Sequence, residues 1–253
     1  MNRTLFIGLS LKRITRDWAG LFFTVALPVL MYLVFGAGQQ WSDQPVGDGN
    51  GSAYVMVSMA VYGGATAAVG GAGALAVERT TGWGRQLALT PLSTANELLA
   101  HTVEILVRVA LPVLAVNVTG ALTNAELPLD TWLWTMLISV LVSVPFGFLG
   151  LGVAMLLPSE SAVSIASTSV VLLAFASNMF MPLPDSLLPY ARWTPLYGAN
   201  VLAHYPITEG LQPTASGSAD AESLTVAVVN IAAWLLIFAG LCWVLSRREK
   251  GRA

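Results

Sequence analysis

Residues 131–157 read TWLWTMLISVLVSVPFGFLGLGVAMLL, a long run without a charged side chain. A helix needs about 20 apolar residues to cross the roughly 30 Å of hydrocarbon in a bilayer. The whole chain shares this character, because 55% of its 253 residues are hydrophobic and only 10% are charged. A soluble protein of this composition would expose large apolar patches to water. The sequence therefore predicts a membrane-embedded helical protein.

Four other uncharged runs are long enough to span a bilayer, and one more run carries Glu104 and Arg108 in its first half but continues without charge to Leu122. The sequence thus predicts an all-α membrane protein in which residues 1–253 form one domain with six transmembrane helices. The predicted spans are residues 18–38, 53–77, 98–122, 131–157, 161–184 and 224–246.

Lys and Arg side chains orient the predicted helices. Ten of the twelve lie before the first span, between the second and third spans, or after the last span. The opposite connections contain Arg192 alone. Because cytoplasmic loops of membrane proteins are enriched in Lys and Arg, both termini are predicted to be cytoplasmic.

The N-terminal segment could be a cleaved signal peptide or a membrane anchor. Its apolar stretch of about 20 residues exceeds the roughly 7–15 of a signal sequence, which favours the anchor. Ahead of it, residues 3–17 are predicted to form an amphipathic helix that lies on the inner membrane surface. Its apolar face holds Ile7, Leu11, Ile14 and Trp18, and its basic face holds Lys12, Arg13 and Arg16.

Catalytic motifs are not found in the sequence. It has no G-x-x-x-x-G-K-[ST] phosphate loop and no G-x-S-x-G nucleophile motif. His101 and His204 have no metal-ligand spacing to each other or to the single cysteine, Cys242. The sequence therefore predicts no catalytic residue, metal site or cofactor in this chain, and no nucleic-acid partner.

The connection between the second and third spans, residues 78–93, reads ERTTGWGRQLALTPLS. A simple linker would not need Trp83, Leu87 and Leu89, which must be covered by lipid headgroups or by a partner. The order E-R-x-x-G-x-x-R-x-L-x-x-T-P-L-S resembles the signature of type-2 ABC exporter permeases, the membrane subunits of drug, antibiotic and polysaccharide exporters. The likeness extends to PFGFLGL at residues 145–151 and to the proline-rich residues 181–197.

This resemblance implies that residues 78–93 form a cytoplasmic coupling helix that docks into a separate ATP-binding subunit, which would bind ATP and magnesium. The implied contacts are Glu78, Arg79, Trp83, Arg85, Leu87, Leu89 and Pro91. It also implies a second permease copy or paralogue, a bacterial plasma-membrane location, and ATP-driven export of an amphipathic, drug-like or lipid-like compound by alternating access. Residues 185–223 would form an extracellular loop with a re-entrant or interfacial hairpin, and residues 212–223 are polar enough to predict a flexible segment.

Two faces carry further candidate residues. Small residues in the second span repeat every four positions, which favours close helix packing, either within the chain or against a moving neighbour or second copy. They are Ala60, Gly64, Ala68 and Ala72. Polar residues share one face of the third span, as a structural ion pair or as the lining of an inward-facing path. They are Glu97, His101, Glu104, Arg108 and Thr119.

Two other functions remain open. A membrane scaffold or sensor subunit could use the same cytoplasmic loop without transporting anything, and an ATPase that responds to a transported compound would exclude it. An ion-coupled carrier predicts that Glu104→Gln abolishes gradient-dependent uptake in the absence of any ATPase.

Overall fold

The structure, a computed structural model, describes residues 18–80 and 94–250. The predicted interfacial helix (residues 3–17) lies outside the described residues, as do Trp83, Arg85, Leu87, Leu89 and Pro91 of the predicted coupling loop. The side chains of Arg79 and Glu97 are likewise not among those that the structure describes.

The described chain is mostly helical. The first helical stretch contains α1 (Trp18–Leu21) and α2 (Leu27–Tyr32), each followed by a π-helical segment (Phe22–Ala26 and Leu33–Ala37). A short antiparallel hairpin of β1 (Pro45–Val46) and β2 (Gly49–Asn50) leads into α3 (Gly51–Thr80). Then come α4 (Thr94–Ala121), α5 (Leu129–Ser143), α6 (Phe146–Leu156) and α7 (Glu160–Ala176). The last elements are α8 (Leu188–Ala191), α9 (Pro195–Thr208), the antiparallel strands β3 (Leu211–Pro213) and β4 (Ala219–Ala221), and α10 (Leu224–Lys250).

Four stretches of the described helices are long and apolar enough to cross a membrane. They are Gly51–Glu78, His101–Ala121, Leu129–Leu156 and Leu224–Arg247. The apolar helices Thr24–Ala37 and Glu160–Ala176 are shorter and occupy the places of the predicted first and fifth spans. The chain is therefore a helical, multi-pass membrane protein.

Two predicted spans have features that composition alone does not show. The stretch Leu129–Leu156 matches the fourth span but turns at Val144 and Pro145 between α5 and α6, because a proline has no backbone N–H to continue the helical hydrogen bonds. The fifth was predicted to reach residue 184 but ends at Ala176. The chain turns there through Asn178, whose φ of 58° is left-handed.

Helix α3 is the centre of the bundle. Every residue from Gly51 to Val69 is buried, because α4, α5, α6, α7 and α9 pack around it. Small residues permit this close approach. A Cβ on Gly150 of α6 would overlap the backbone carbonyl of Val69, so α6 rests directly on the α3 backbone.

Residues 38–50, 122–128 and 209–223 gather at one end of the bundle, which is called the predicted outer end below. Asn50 Nδ2 donates to Asn124 O at 2.6 Å, and the amide of Asp48 donates to Ile207 O at 2.9 Å. The first bond joins two of these connections, and the second joins one of them to residue Ile207 near the other end of the sequence.

The region between the fifth and sixth predicted spans contains α9 and a strand hairpin. Helix α9 is buried against α3, α5 and α10, with Tyr197 fully enclosed. The polar segment predicted to be flexible instead forms the β3–β4 hairpin, called the outer hairpin below. Gln212, Thr214 and Glu222 are buried there, because tertiary packing covers polar residues that composition alone suggests are exposed.

Candidate functional site

The polar face of the predicted third span lies on α4. Arg108 donates from Nη2 and Nε to Glu104 Oε1 at 3.2 and 3.3 Å, so the predicted ion pair is formed. Glu104 is buried, and the Arg108 stem packs on Gly71 of α3, where a Cβ would lie 2.7 Å from Arg108 Cδ. The pair is therefore enclosed by this chain's own helices.

The other members of that face are less enclosed. His101 and Thr119 are half-buried, and Thr119 Oγ1 donates to Ala115 O at 2.8 Å. One of the residues predicted to contact the ATP-binding subunit, Glu78, lies on α3. It is half-buried near the end of α3 that is opposite the predicted outer end. The structure thus brings Glu104 and Arg108 into contact and leaves Thr119 bonded to its own helix.

The small-residue face of α3 is buried within the chain. Ala60, Gly64, Ala68 and Ala72 are all enclosed. A Cβ on Gly64 would lie 2.5 Å from Ser143 Oγ of α5, so Gly64 lets these two helices touch. In this structure the face packs neighbouring helices of one chain.

Helix α5 carries a row of buried hydroxyls that was not predicted from the sequence. The row consists of Thr131, Thr135, Ser139 and Ser143. Their spacing of four residues is the signal that could have predicted it. Ser139 donates to Thr135 O and Ser143 to Ser139 O, both at 2.7 Å. Because Ser139 and Ser143 bond to carbonyls of their own helix, their hydroxyls can be buried without an unsatisfied donor.

Helix α7 exposes most of its hydroxyls on the outside of the bundle. Ser167 points inward and donates to Thr66 O at 3.0 Å. Four others are exposed on the outside of the bundle: Ser161, Ser164, Thr168 and Ser169. By contrast, the exposed residues of α10 between Val226 and Val244 include no hydroxyl and no charge. This set of four is called the α7 hydroxyl face below.

Lipid tails offer no hydrogen-bond partner, so polar side chains of membrane helices face protein or water. Two members of the α7 hydroxyl face partly satisfy themselves, since Thr168 donates to Ser164 O at 2.9 Å and Ser169 to Ala166 O at 2.8 Å. The face nevertheless differs from the middle of α5 and α10, where the exposed side chains are apolar.

A second polar cluster lies at the predicted outer end around Glu222. Tyr197 Oη donates to Glu222 Oε2 at 2.8 Å, and Arg192 Nε forms an ion pair with the same oxygen at 2.6 Å. Arg192 Nη2 also donates to Asp220 Oδ2 at 3.0 Å. Burial, together with the Glu222 carboxylate, raises the pKa of the Tyr197 hydroxyl well above its usual range, so Tyr197 remains a donor.

Asn230 of α10 fastens the start of α9. Its Nδ2 donates to Arg192 O at 2.7 Å and to Thr194 O at 3.1 Å, while its Oδ1 accepts from the Gly198 amide at 3.1 Å. No side chain of the N-cap residue Thr194 performs this role. Asn230 therefore satisfies an unpaired amide of the first turn of α9 from a different helix.

His204 joins α9 to α3. Its Nδ1 lies 2.8 Å from Asn200 O, and its Nε2 lies 2.9 Å from Tyr54 O and 3.4 Å from Ser58 Oγ. The ring stacks on Tyr54 with centroids 4.0 Å apart. Burial lowers the pKa of His204 although both carbonyls raise it, so the neutral ring is favoured.

Comparison with known proteins decides what kind of membrane protein this is. Residues 5–206 match the ABC-2 type transporter family. The chain belongs to the ABC-2 type transporter family. It is also similar to "Putative transport permease YvfS" of Bacillus subtilis (strain 168), at 26% identity over 196 residues that cover 74% of this chain and 78% of the relative.

Membership of the ABC-2 type transporter family makes this chain a transport permease and a membrane component rather than a catalytic domain. Permeases of the family generally pair with an ATP-binding subunit. The resemblance stated from the E-R-x-x-G-x-x-R loop is thereby confirmed at the level of the family.

Proposed function

We propose that this chain is the permease subunit of an ATP-driven exporter that moves an amphipathic, drug-like or lipid-like compound out of a bacterial cell. A separate ATP-binding subunit would bind ATP and magnesium and would dock on residues 78–93. Family membership supports this assignment, as does the charged and apolar composition of that loop.

The observation that carries the proposal is the continuity of α3. This helix runs without a break over 30 residues, about 45 Å at 1.5 Å per residue, from the predicted outer end to the residue before the loop 81–93. It is enclosed by neighbouring helices along most of its length. A displacement of the docked loop would therefore be carried along α3 instead of being lost in a flexible connection.

The path for the compound would form where two permease copies meet. Among the polar side chains on the outside of the described helices, the α7 hydroxyl face is the best candidate, because lipid would favour apolar residues there. Glu104 and Arg108, at the α3–α4 contact, would stabilise the wall of this path. Each copy would then contribute one α7 and one docking loop.

Docking can be tested by co-expression with the ATP-binding subunit and purification by a tag on this chain. Leu87→Asp and Arg85→Glu should each reduce the co-purified subunit at least about tenfold, the effect of removing a central interface contact. Leu187→Asp is the matched control, since Leu187 is exposed near the other end of the molecule. Its yield of bound subunit should equal that of the unmodified chain.

Two outcomes would contradict this proposal. If the ATP-binding subunit does not co-purify with the unmodified chain, the chain is not driven in this way. If it binds but its ATP turnover never responds to amphipathic drugs, a scaffold or sensor role replaces transport.

A further inference from the structure

Helix α9 lies between α10 and α3, and its contacts with these two helices differ. On one side, Asn230 and a close contact fix it to α10: a Cβ on Gly198 would lie 2.6 Å from both Ala227 O and Asn230 Oδ1. On the other side it rests on α3 near Tyr54 and Ser58. Within the described parts of the chain, the side-chain hydrogen bonds between α9 and α3 all come from His204.

The His204 contact holds in either neutral form of the ring. If Nε2 carries the hydrogen, it donates to Tyr54 O; if Nδ1 carries it, that nitrogen donates to Asn200 O and Nε2 accepts from the Ser58 hydroxyl. In both forms Nε2 is bonded to α3. Stacking on the Tyr54 ring adds a contact that resists sliding of one helix along the other.

The far side of α9 is connected to the outer hairpin. Tyr197, in the first turn of α9, donates to Glu222, which directly follows β4. The amide of Glu222 in turn donates to Gly210 O at 2.9 Å, so both ends of the hairpin are tied together. Continuous contacts thus run from α3 through His204 and α9 to the outer hairpin.

We propose that His204 is the positioning residue through which movement of α3 displaces α9 and the outer hairpin, so that the outer end of the path responds to the ATP-binding subunit. This inference rests on the proposed function. His204 does not contact the transported compound in this role. It couples α3 to α9. Without it, movement of α3 near the docking loop should no longer displace α9 and the outer hairpin.

Hydrogen–deuterium exchange of the purified complex tests this without a known substrate. The complex is compared with and without trapping by Mg-ATP and vanadate. In the unmodified complex, trapping should change exchange both in residues 66–80 of α3 and in residues 195–208 of α9. With His204→Leu, the change in α3 should remain while the change in α9 falls about fivefold, as expected for loss of one hydrogen bond.

His204→Gln is the matched control, because its amide can still donate to Tyr54 O or accept from Ser58; it should retain the response in α9. If His204→Leu does not fold, His204→Asn replaces it, since the shorter amide keeps polarity but does not reach α3. Equal responses of α9 in the Leu or Asn variant and in the unmodified complex would overturn the role of His204 alone. An unmodified complex that does not respond even in residues 66–80 would overturn the proposed function and this inference with it.

Discussion

At the scale of single residues, the Glu222 carboxylate organises the predicted outer end. It is about 7% exposed, and a charge so far removed from water must be paired to be tolerated. One oxygen meets both the Tyr197 hydroxyl and the Arg192 guanidinium. The carboxylate therefore joins the start of α10 to the segment between α8 and α9.

Replacing Glu222 by Leu should destabilise the fold. The Tyr197 hydroxyl would remain buried without an acceptor, which costs about 1–3 kcal/mol. Glu222→Gln keeps an acceptor for Tyr197 and should cost less. The eight tryptophans permit the midpoint of thermal unfolding in detergent to be followed by fluorescence.

Asp220→Asn is the control for that experiment. Asp220 is about half exposed where it pairs with Arg192, and exposed ion pairs contribute little. Its unfolding midpoint should stay close to that of the unmodified chain. A midpoint for Glu222→Leu equal to that of Asp220→Asn would show that the buried carboxylate does not stabilise the outer end.

The two ion pairs show which contacts sequence can predict. Glu104 and Arg108 are four residues apart on one helix, so helical geometry alone brings them together. Arg192 and Glu222 are 30 positions apart, and no local rule pairs them. Their contact depends on the outer hairpin folding back onto α9, which is a tertiary event.

At the scale of elements, α7 presents an unusual surface. Its 17 residues span about 26 Å, slightly less than the roughly 30 Å of hydrocarbon. Four exposed hydroxyls interrupt its apolar side, while α5 turns its own hydroxyl row inward. The proposed path between two copies would place a polar neighbour beside α7, which would account for this difference.

Cross-linking can test whether that neighbour is a second copy. In a Cys242→Ala background, which removes the native cysteine, Ser164→Cys or Thr168→Cys should give a covalent dimer with a short bismaleimide in native membranes. Val229→Cys on the apolar exposed side of α10 is the control and should remain monomeric. Equal dimer formation at all three positions would indicate random collision instead of a defined interface.

Four of the predicted spans match long apolar helices, whereas the short strands were not predicted. This difference has a physical reason. An uncharged run of about 20 residues has few alternatives to a membrane helix. Helix α9 and the outer hairpin have mixed composition, and their burial depends on partners elsewhere, such as Asn230 and Tyr197. The break at Pro145 could have been predicted from the proline, whereas the outward turn of the α7 hydroxyls required the packed structure.

At the scale of the whole molecule, α3 is an axis around which the other helices are arranged. Helix α3 is contacted by polar side chains of two other helices. Arg108 of α4 packs on it at Gly71, and His204 of α9 binds it near Tyr54. The outer hairpin lies at the end of the bundle where α3 begins, and α3 ends at Thr80, at the opposite end. The predicted orientation in the membrane can therefore be tested at these two ends.

Cysteine accessibility should reveal that orientation. In the Cys242→Ala background, Gln40→Cys and Ala215→Cys replace exposed residues at the predicted outer end. A membrane-impermeant maleimide should label both in intact cells. Leu157→Cys, also exposed but at the opposite end, is the control and should be labelled only after permeabilisation. The reverse labelling pattern would invert the predicted topology.

The cap that Asn230 provides has a consequence for biosynthesis. A ribosome makes α9 before it makes α10, so the first turn of α9 is synthesised before the side chain that satisfies its amide exists. Since unpaired backbone groups are costly away from water, we expect α9 to dock stably only after α10 has entered the bilayer. Nascent chains that end before Asn230 should consequently expose the Gly198 region to quality-control proteases. Insertion of α10 thus becomes the step that allows α9 to dock stably.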